Sequence, residues 1–528
     1  MRTTDKEGVK RQIPGISSLP FTGPYPTFEA FAASKPDRAC MDDSAAKAEL
    51  VSLRTKFFYG LGSVAFGIKD NGFQTILLLF YNQVIGLPGP LVGLAIAIAL
   101  LVDAFLDPIV GQISDNFHSR WGRRHPFMYA SALPVAISYL LLWNPPHWSQ
   151  HALFFYLLVV AIVVRTFITF YEIPSAALAP ELSEDYDQRT SFIGFRLFFG
   201  WYGGLTMLFL AYAVFLQPDA AHKVGQLNAA GYSRYGITAA IIMFVSILIS
   251  ARGTHRFIPY FRNPPVRQVS MMQYTRETFA SMANKAFLIL MVSGIIFYFA
   301  TGVVFALSIY INTYFWQLSA AQVSVLTLSS FVAVFFSFII ALPFSKWLGK
   351  KRASMWMFVV GILVVSAPLA FGLMGLFPPR GSSALVVLLF AFGVVGAGLA
   401  IGSSILLVSM LADVVEDSEL KTGRRSEGLF FAGASFMQKC ASGLGLLGSG
   451  LILSAAHFPA HAVPGHIAPE IVRHFALIYL PVTTILYLIA MAIIGLYPIS
   501  RESHNENLRK LASEVAQAGE PVDMGVEP

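Results

Sequence analysis

Long apolar runs separated by short polar breaks cover most of the chain. A helix needs about 20 predominantly apolar residues to cross the hydrocarbon core of a bilayer. Windows of that kind predict helices at 55–84, 89–114, 126–144, 152–180, 190–216, 236–254, 284–314, 320–345, 353–376, 383–412, 427–455 and 471–498. Only the two ends, residues 1–52 and 500–528, and the stretch 256–283 read as extended polar segments. The first fifty residues lack the basic-then-apolar order of a secretory signal, so a cytosolic tail is expected there. The pattern predicts an all-α membrane protein with twelve transmembrane helices.

Composition fits this class. The 528 residues are 55% hydrophobic and 13% charged, whereas soluble domains carry nearer a quarter charged residues. The two cysteines, Cys40 and Cys440, imply no disulfide framework. The net charge of +7 comes with no base-reading or stacking motif, which excludes a nucleic-acid partner. Neither a phosphate-cradling glycine loop nor a Cys/His cluster appears, so neither a cofactor nor an ATP-driven cycle is expected.

The positive charges are placed unevenly. Arg120, Arg123 and Arg124 follow the second helix; Arg252, Arg256, Arg262, Arg267 and Arg276 follow the sixth; Lys346, Lys350, Lys351 and Arg352 follow the eighth. The alternate loops carry mainly Lys223, Arg234 and Arg380. Basic loops mark the cytoplasmic side, so both termini are expected inside, in a bacterial-type cytoplasmic membrane. The basic stretch 256–283 divides the chain into halves at 53–255 and 284–499. Trp121-Gly122-Arg123-Arg124 is echoed by Leu348-Gly349-Lys350-Lys351 at the matching place. Two pseudo-symmetric six-helix halves around a central site are the expected architecture.

Charges inside the apolar runs need a reason, because each costs at least about 2.5–3.5 kcal/mol at the bilayer centre. They are Asp70 in helix one, Asp103 and Asp107 in helix two, Arg165 and Glu172 in helix four, Arg196 in helix five and Lys439 in helix eleven. Asp103 and Asp107 stand at i and i+4 on one stripe; Arg165, Thr169 and Glu172 at i, i+4 and i+7 share a face. Two neighbouring carboxylates repel unless one is protonated or a cation sits between them. The pair is therefore a proton carrier or half of a cation cage. Pro108 cannot donate to the carbonyl of Ala104, which leaves that oxygen free beside the acids, and Thr169 is a further candidate ligand. The plainer reading is that the charges pair to hold helices together; it carries more weight for Arg196 or Lys439 alone than for two adjacent aspartates.

The segments DAFLDPIVGQISD with SRWGRRHP, then YEIPSAALAPELSEDYDQRTSFIGFR, then MLADVVEDSELKTGRRSEGLFFAGASFMQK resemble the glycoside–pentoside–hexuronide cation symporters, the melibiose-permease-like branch of the major facilitator superfamily. YGLGSVAFGIKD resembles that family's first helix. The resemblance spans roughly Phe57 to Lys439. It implies that Asp103, Asp107 and Thr169 bind the coupling Na⁺, Li⁺ or H⁺. It implies that Asp70, Glu172, Arg196 and Lys439 line the substrate cavity, and that Asp115, Arg120, Gly122, Arg123 and Arg124 form a cytoplasmic gating motif. Three departures stand out. Ala176 occupies the position of a sugar-stacking tryptophan, Leu106 replaces a polar residue beside the second aspartate, and Arg165 has no family counterpart. Arg165 is therefore a candidate for receiving a substrate carboxylate or phosphate.

The expected function is cation-coupled symport of a glycoside, sugar or sugar acid by alternating access, performed by a monomer on a small-molecule substrate. Alternatives are an amphiphilic or anionic cargo such as a lysophospholipid, or a non-transporting sensor. Intramembrane aspartyl proteolysis also uses paired acids, but such acids face each other from two helices and here both stand on one. The protein is not expected to be an enzyme.

Overall fold

A computed structural model of the chain describes residues 51–183, 185–220, 222–260, 284–422 and 427–499. The tail up to residue 50, the greater part of the basic middle stretch with Arg262, Arg267 and Arg276, and the tail from residue 500 lie outside the described residues. What is described is helical. The first helix, α1, runs from 53 to 84 as a chain of α-helical pieces joined by two wide π turns, Gly72–Ile76 and Phe80–Val84. The others are α2 (Gly89–Asn116), α3 (His125–Leu142), α4 (Gln150–Ala176), α5 (Tyr186–Leu210), α6 (Ala229–His255), α7 (Lys285–Tyr310), α8 (Ala320–Leu348), α9 (Lys350–Leu373), α10 (Ser383–Thr422), α11 (Glu427–Ala455) and α12 (Pro469–Ile494). Among the described residues eleven helices are long and apolar enough to cross a membrane. The first is the twelfth member of the set, interrupted by its π turns.

Capping explains several of the boundaries. Ser52 accepts from the Thr55 amide at the start of α1, Asn228 accepts from the Gly231 amide at the start of α6, and Ser319 with Gln322 forms a reciprocal capping box on α8. Apolarity alone placed the start of α6 seven residues too late, because its first turns are polar while the cap fixes the true beginning. Conversely α10 continues past residue 412 through the polar stretch ADVVEDSELKT. Helical hydrogen bonding does not need hydrocarbon around it.

The packing repeats. In the first six helices α1 lies against α5 and α6, α3 against α6, and α4 against α2 and α3. In the last six, α7 lies against α11 and α12, α9 against α12, and α10 against α8 and α9. Adding six to every number in the first set gives the second. The halves meet through α2 on α11, α5 on α8 and α1 on α7, a set that maps onto itself under the same exchange. The short sequence echo has a backbone counterpart. Gly122 and Gly349 both hold positive φ, 74° and 77°, a conformation glycine adopts at no steric cost. The residue after each reaches a carboxylate near the basic end of the fourth helix of its half. Arg123 Nη2 is 2.7 Å from Glu181 Oε1, and Lys350 Nζ is 2.6 Å from Asp413 Oδ1.

The α2–α11 contact is set by small residues. A Cβ added to Gly450 would stand 2.3 Å from the Gly89 carbonyl oxygen, and one added to Gly93 would stand 2.7 Å from that of Leu446. Helices in a bilayer associate by such close backbone approach, since lipid removes the hydrophobic drive. Gly450→Val should therefore separate α2 from α11 and destabilise the protein by about 1–3 kcal/mol, the usual cost of overpacking. Gly433→Ala, whose new methyl would meet only the Phe287 ring at 3.5 Å, should leave melting in detergent unchanged; thermal denaturation of the two purified variants checks both outcomes.

Candidate functional site

Close packing of α2 on α11 and on α4 brings the intramembrane charges together. Asp103 is sealed, with 1% of its side chain exposed. Arg165 donates to its Oδ2 from both Nε (3.1 Å) and Nη2 (2.9 Å), and Thr169 Oγ1 donates to Oδ1 at 2.7 Å. Lys439 Nζ, arriving from α11, stands 3.1 Å from the same Oδ2. The Arg165 guanidinium also lies 5.3 Å from the centre of the Phe73 ring, within the first π turn of α1, and Arg165 is 3% exposed. A delocalised cation between a carboxylate and an aromatic face is the arrangement arginine suits best.

Asp107, one turn further along α2, is the more accessible acid. Its side chain is 20% exposed, and Lys439 donates to Oδ2 at 2.5 Å. Thr169 reaches its Oδ1 only at 3.4 Å, so the hydroxyl is committed mainly to Asp103. Glu172 and Arg196 form a second accessible pair. Arg196 Nη2 is 3.7 Å from Glu172 Oε1, and the guanidinium is held by the Ser175 hydroxyl at 2.9 Å and the Glu172 carbonyl at 3.3 Å. Asp70, 30% exposed, pairs with its own neighbour Lys69 at 2.7 Å.

Lys69 is not among the site residues the sequence points to, although it is buried at 1% exposure and its ammonium lies 4.3 Å from the centre of the Phe66 ring. Adjacent opposite charges in a run as apolar as α1 were the available signal. With Lys69 counted, Lys69, Arg165, Arg196 and Lys439 match Asp70, Asp103, Asp107 and Glu172 in number, so the centre carries no net charge. Ala176 is exposed and offers no ring.

The glycine turn after α2 is a separate ion-pair cluster. Arg124 joins Asp115 at 2.9 Å and Glu181 at 2.8 Å, while Arg123 shares the same Glu181 oxygen. Glu181, an acid with no sequence signal beyond its place past a span, sits in the helical turn Ala179–Leu182 just past α4 and is the hub of this cluster. Gly122 supplies the turn, and Arg120 lies over the Trp121 ring at 5.7 Å.

The end of the molecule away from the basic loops is shut by a polar knot between the halves. Gln83, in the second π turn of α1, donates to the Pro459 carbonyl (3.1 Å) and accepts from the Ala462 amide (2.8 Å) and the Tyr314 hydroxyl (3.2 Å). Tyr310 donates to Asn82 Oδ1 at 2.9 Å, and Gln226 donates to the Leu318 carbonyl at 2.8 Å. Further bonds join the halves here, from Tyr310 to the Leu78 carbonyl and between His461 and the Gln83 carbonyl. Gln83→Ala removes the knot's shared acceptor. In a background without Cys40 and Cys440, Thr313→Cys, at a position 1% exposed, should react faster with a polar maleimide once Gln83→Ala is added. An unchanged labelling rate would show that the knot does not hold this end closed.

Comparison with known proteins agrees with this architecture. The family model described as MFS/sugar transport protein matches residues 58–501. The chain is similar to an uncharacterized symporter of Synechocystis, at 26% identity over 88% of this chain and 97% of the relative. It is also similar to the glucuronide carrier protein homolog of Escherichia coli, at 24% identity over 86% of this chain and 94% of that one. The inward open structure of the xylose transporter XylE from E. coli superposes with a TM-score of 0.58 at 15% identity, covering 86% and 98% of the two chains, which shows the shared fold. A twelve-helix, two-half bundle with balanced charge at its centre, matched over most of its length by these transporters, is a multi-pass membrane carrier and not an enzyme. The chain belongs to the MFS/sugar transport protein family, in its glycoside–pentoside–hexuronide cation symporter branch.

Proposed function

We propose that the protein takes up a glycoside or sugar acid together with a coupling cation, Na⁺ or H⁺, and that the substrate binds against the accessible charges Asp70, Glu172, Arg196 and Lys439. The observation that carries this reading is the ion pair between Lys439 on α11 and Asp107 on α2, because it crosses from one half of the bundle to the other at the level where the acids are still reachable. A ligand or cation that changes the charge on either partner acts directly on the contact between the halves, which is how binding shifts a two-state equilibrium. Sugar hydroxyls both donate and accept, so they bridge an acid such as Glu172 to a guanidinium such as Arg196. A uronate would add a charge-assisted bond to Arg196 or Lys439. The glucuronide carrier among the relatives supports that class of cargo. The basic loops favour cytoplasmic termini, which would turn the shut end outward, and one chain supplies every residue named here.

Arg165, although a candidate anion receptor in the sequence, is committed to Asp103 and almost fully buried. Recognition of an anionic group therefore falls to Arg196 and Lys439. The test is accumulation of labelled glucosides and glucuronides in proteoliposomes, with imposed Na⁺ and H⁺ gradients varied one at a time and lysophospholipid added as a competitor. Wild-type protein should concentrate at least one sugar class against its gradient. Asp107→Asn and Lys439→Ala should lose about tenfold or more of that accumulation, as expected when one partner of a partly buried charge pair is removed. Equal accumulation by both variants, or inhibition by lysophospholipid but by no sugar, would refute the assignment.

A further inference from the structure

The family resemblance implies that Asp103 and Asp107 hold a small cation such as Na⁺ between them. The residues around Asp103 do not fit that ion. A Na⁺ site needs carboxylate or hydroxyl oxygens with lone pairs turned toward a common point. Here Oδ2 of Asp103 already takes Nε and Nη2 of Arg165 and lies 3.1 Å from Nζ of Lys439, while Oδ1 takes the Thr169 hydroxyl. The charges leave no vacancy either. Asp103 and Asp107 bring two negative charges, Arg165 and Lys439 two positive ones, and no third carboxylate joins the pair among the described residues. A metal ion placed there would be an extra positive charge facing two cations at short range.

We propose that Arg165 is a tethered cation standing permanently in the place of the small coupling cation on Asp103, so that this transporter neither binds Na⁺ or Li⁺ at its aspartate pair nor draws on a Na⁺ gradient. The inference rests on the symporter reading and narrows its coupling ion. Location within the fold supports permanence. Asp103 on α2 and Arg165 on α4 belong to the same half, and these helices pack along each other; rocking one half against the other does not part them. Lys439 belongs to the opposite half and is the partner such a motion does displace. The guanidinium is pinned from its other side by Phe73 and has almost no exposed surface through which to swing out. Arg165 thus determines ion specificity through Asp103, as a positioning residue.

The test reads Na⁺ binding without needing a substrate. The melting temperature of purified full-length protein in detergent is measured in NaCl, LiCl and choline chloride at equal ionic strength, for wild type and for the single variants Arg165→Gln and Arg165→Lys. Wild type and Arg165→Lys, which keep a fixed cation on Asp103, should melt at the same temperature in all three salts. Arg165→Gln, which exposes the carboxylate to a mobile ion, should melt about 2 °C or more higher in NaCl than in choline. The double variant Asp103→Asn/Arg165→Gln removes the carboxylate as well and should lose that gain. A Na⁺- or Li⁺-specific rise in wild type overturns the inference whether or not Arg165→Gln folds. So does a monodisperse Arg165→Gln protein indifferent to Na⁺. Failure of the symporter reading looks different: no sugar accumulates under any gradient, while the salt dependence of melting keeps its own answer.

Discussion

Everything in this molecule's centre follows from the cost of holding two carboxylates, one helical turn apart, at the depth of the hydrocarbon. Asp103 is almost wholly buried, so each acid must meet a cation with good geometry or the helix is unstable where it lies. The chain supplies two, from different places. Arg165 comes from α4 in the same half and closes on Asp103 from two nitrogens. Lys439 comes from α11 in the other half and closes on Asp107. The same electrostatic requirement is therefore met once by a fixed bond and once by a bond across the moving interface.

That division gives the polar contacts distinct mechanical roles. Bonds within a half, such as Arg165 with Asp103 or Arg123 and Arg124 with Glu181, stiffen a body. Two groups of described bonds join the halves, the Gln83 knot at one end and the Lys439 pair in the middle. The knot is made of neutral groups sharing backbone carbonyls and amides, each worth about 1 kcal/mol net, so it is breakable one bond at a time. The central pair is charged, and separating its members leaves charges uncovered. In the proposed reading, a solute that meets Lys439 or Asp107 covers those charges, and binding is coupled to movement in that way. The small residues that let α2 approach α11 set the distance at which this pair forms, so Gly93 and Gly450 belong to the mechanism as much as the ions do.

The helices were legible in the sequence because bilayer thickness imposes a length that apolar windows measure directly. The two halves were legible because the basic loops and the glycine echo fall at matching places. What stayed hidden depended on pairing. Nothing in a linear pattern tells that Arg165, seven residues before Glu172 and on the same face, reaches the acid of another helix instead of a ligand. Nor does it tell that Glu181 gathers both Arg123 and Arg124, since an acid just past a span looks like ordinary loop polarity. Lys69 is overshadowed by its neighbour Asp70; only the fold shows that it is buried and paired with that acid. The π turns of α1, which hold Phe73 and Gln83, are also invisible, because hydrogen bonds spanning one residue more leave hydropathy unchanged.

The face of α4 shows how one periodicity organises three helices. Arg165 meets Asp103 on α2. Thr169, one turn on, donates to Asp103 and lies at the edge of reach of Asp107. Glu172, nearly another turn on, leans toward Arg196 on α5. Along that stripe burial falls from 4% exposed at the Arg165 side chain to 19% at Glu172, so a continuous row of polar groups passes from a sealed ion pair to an accessible one. The sealed end cannot exchange its cation without unpacking α2 from α4; the accessible end can exchange a partner for a solute. A transporter needs both behaviours in one half, a charge that never leaves and charges that are free to choose, and the i, i+4, i+7 spacing on a single helix puts them about 10 Å apart.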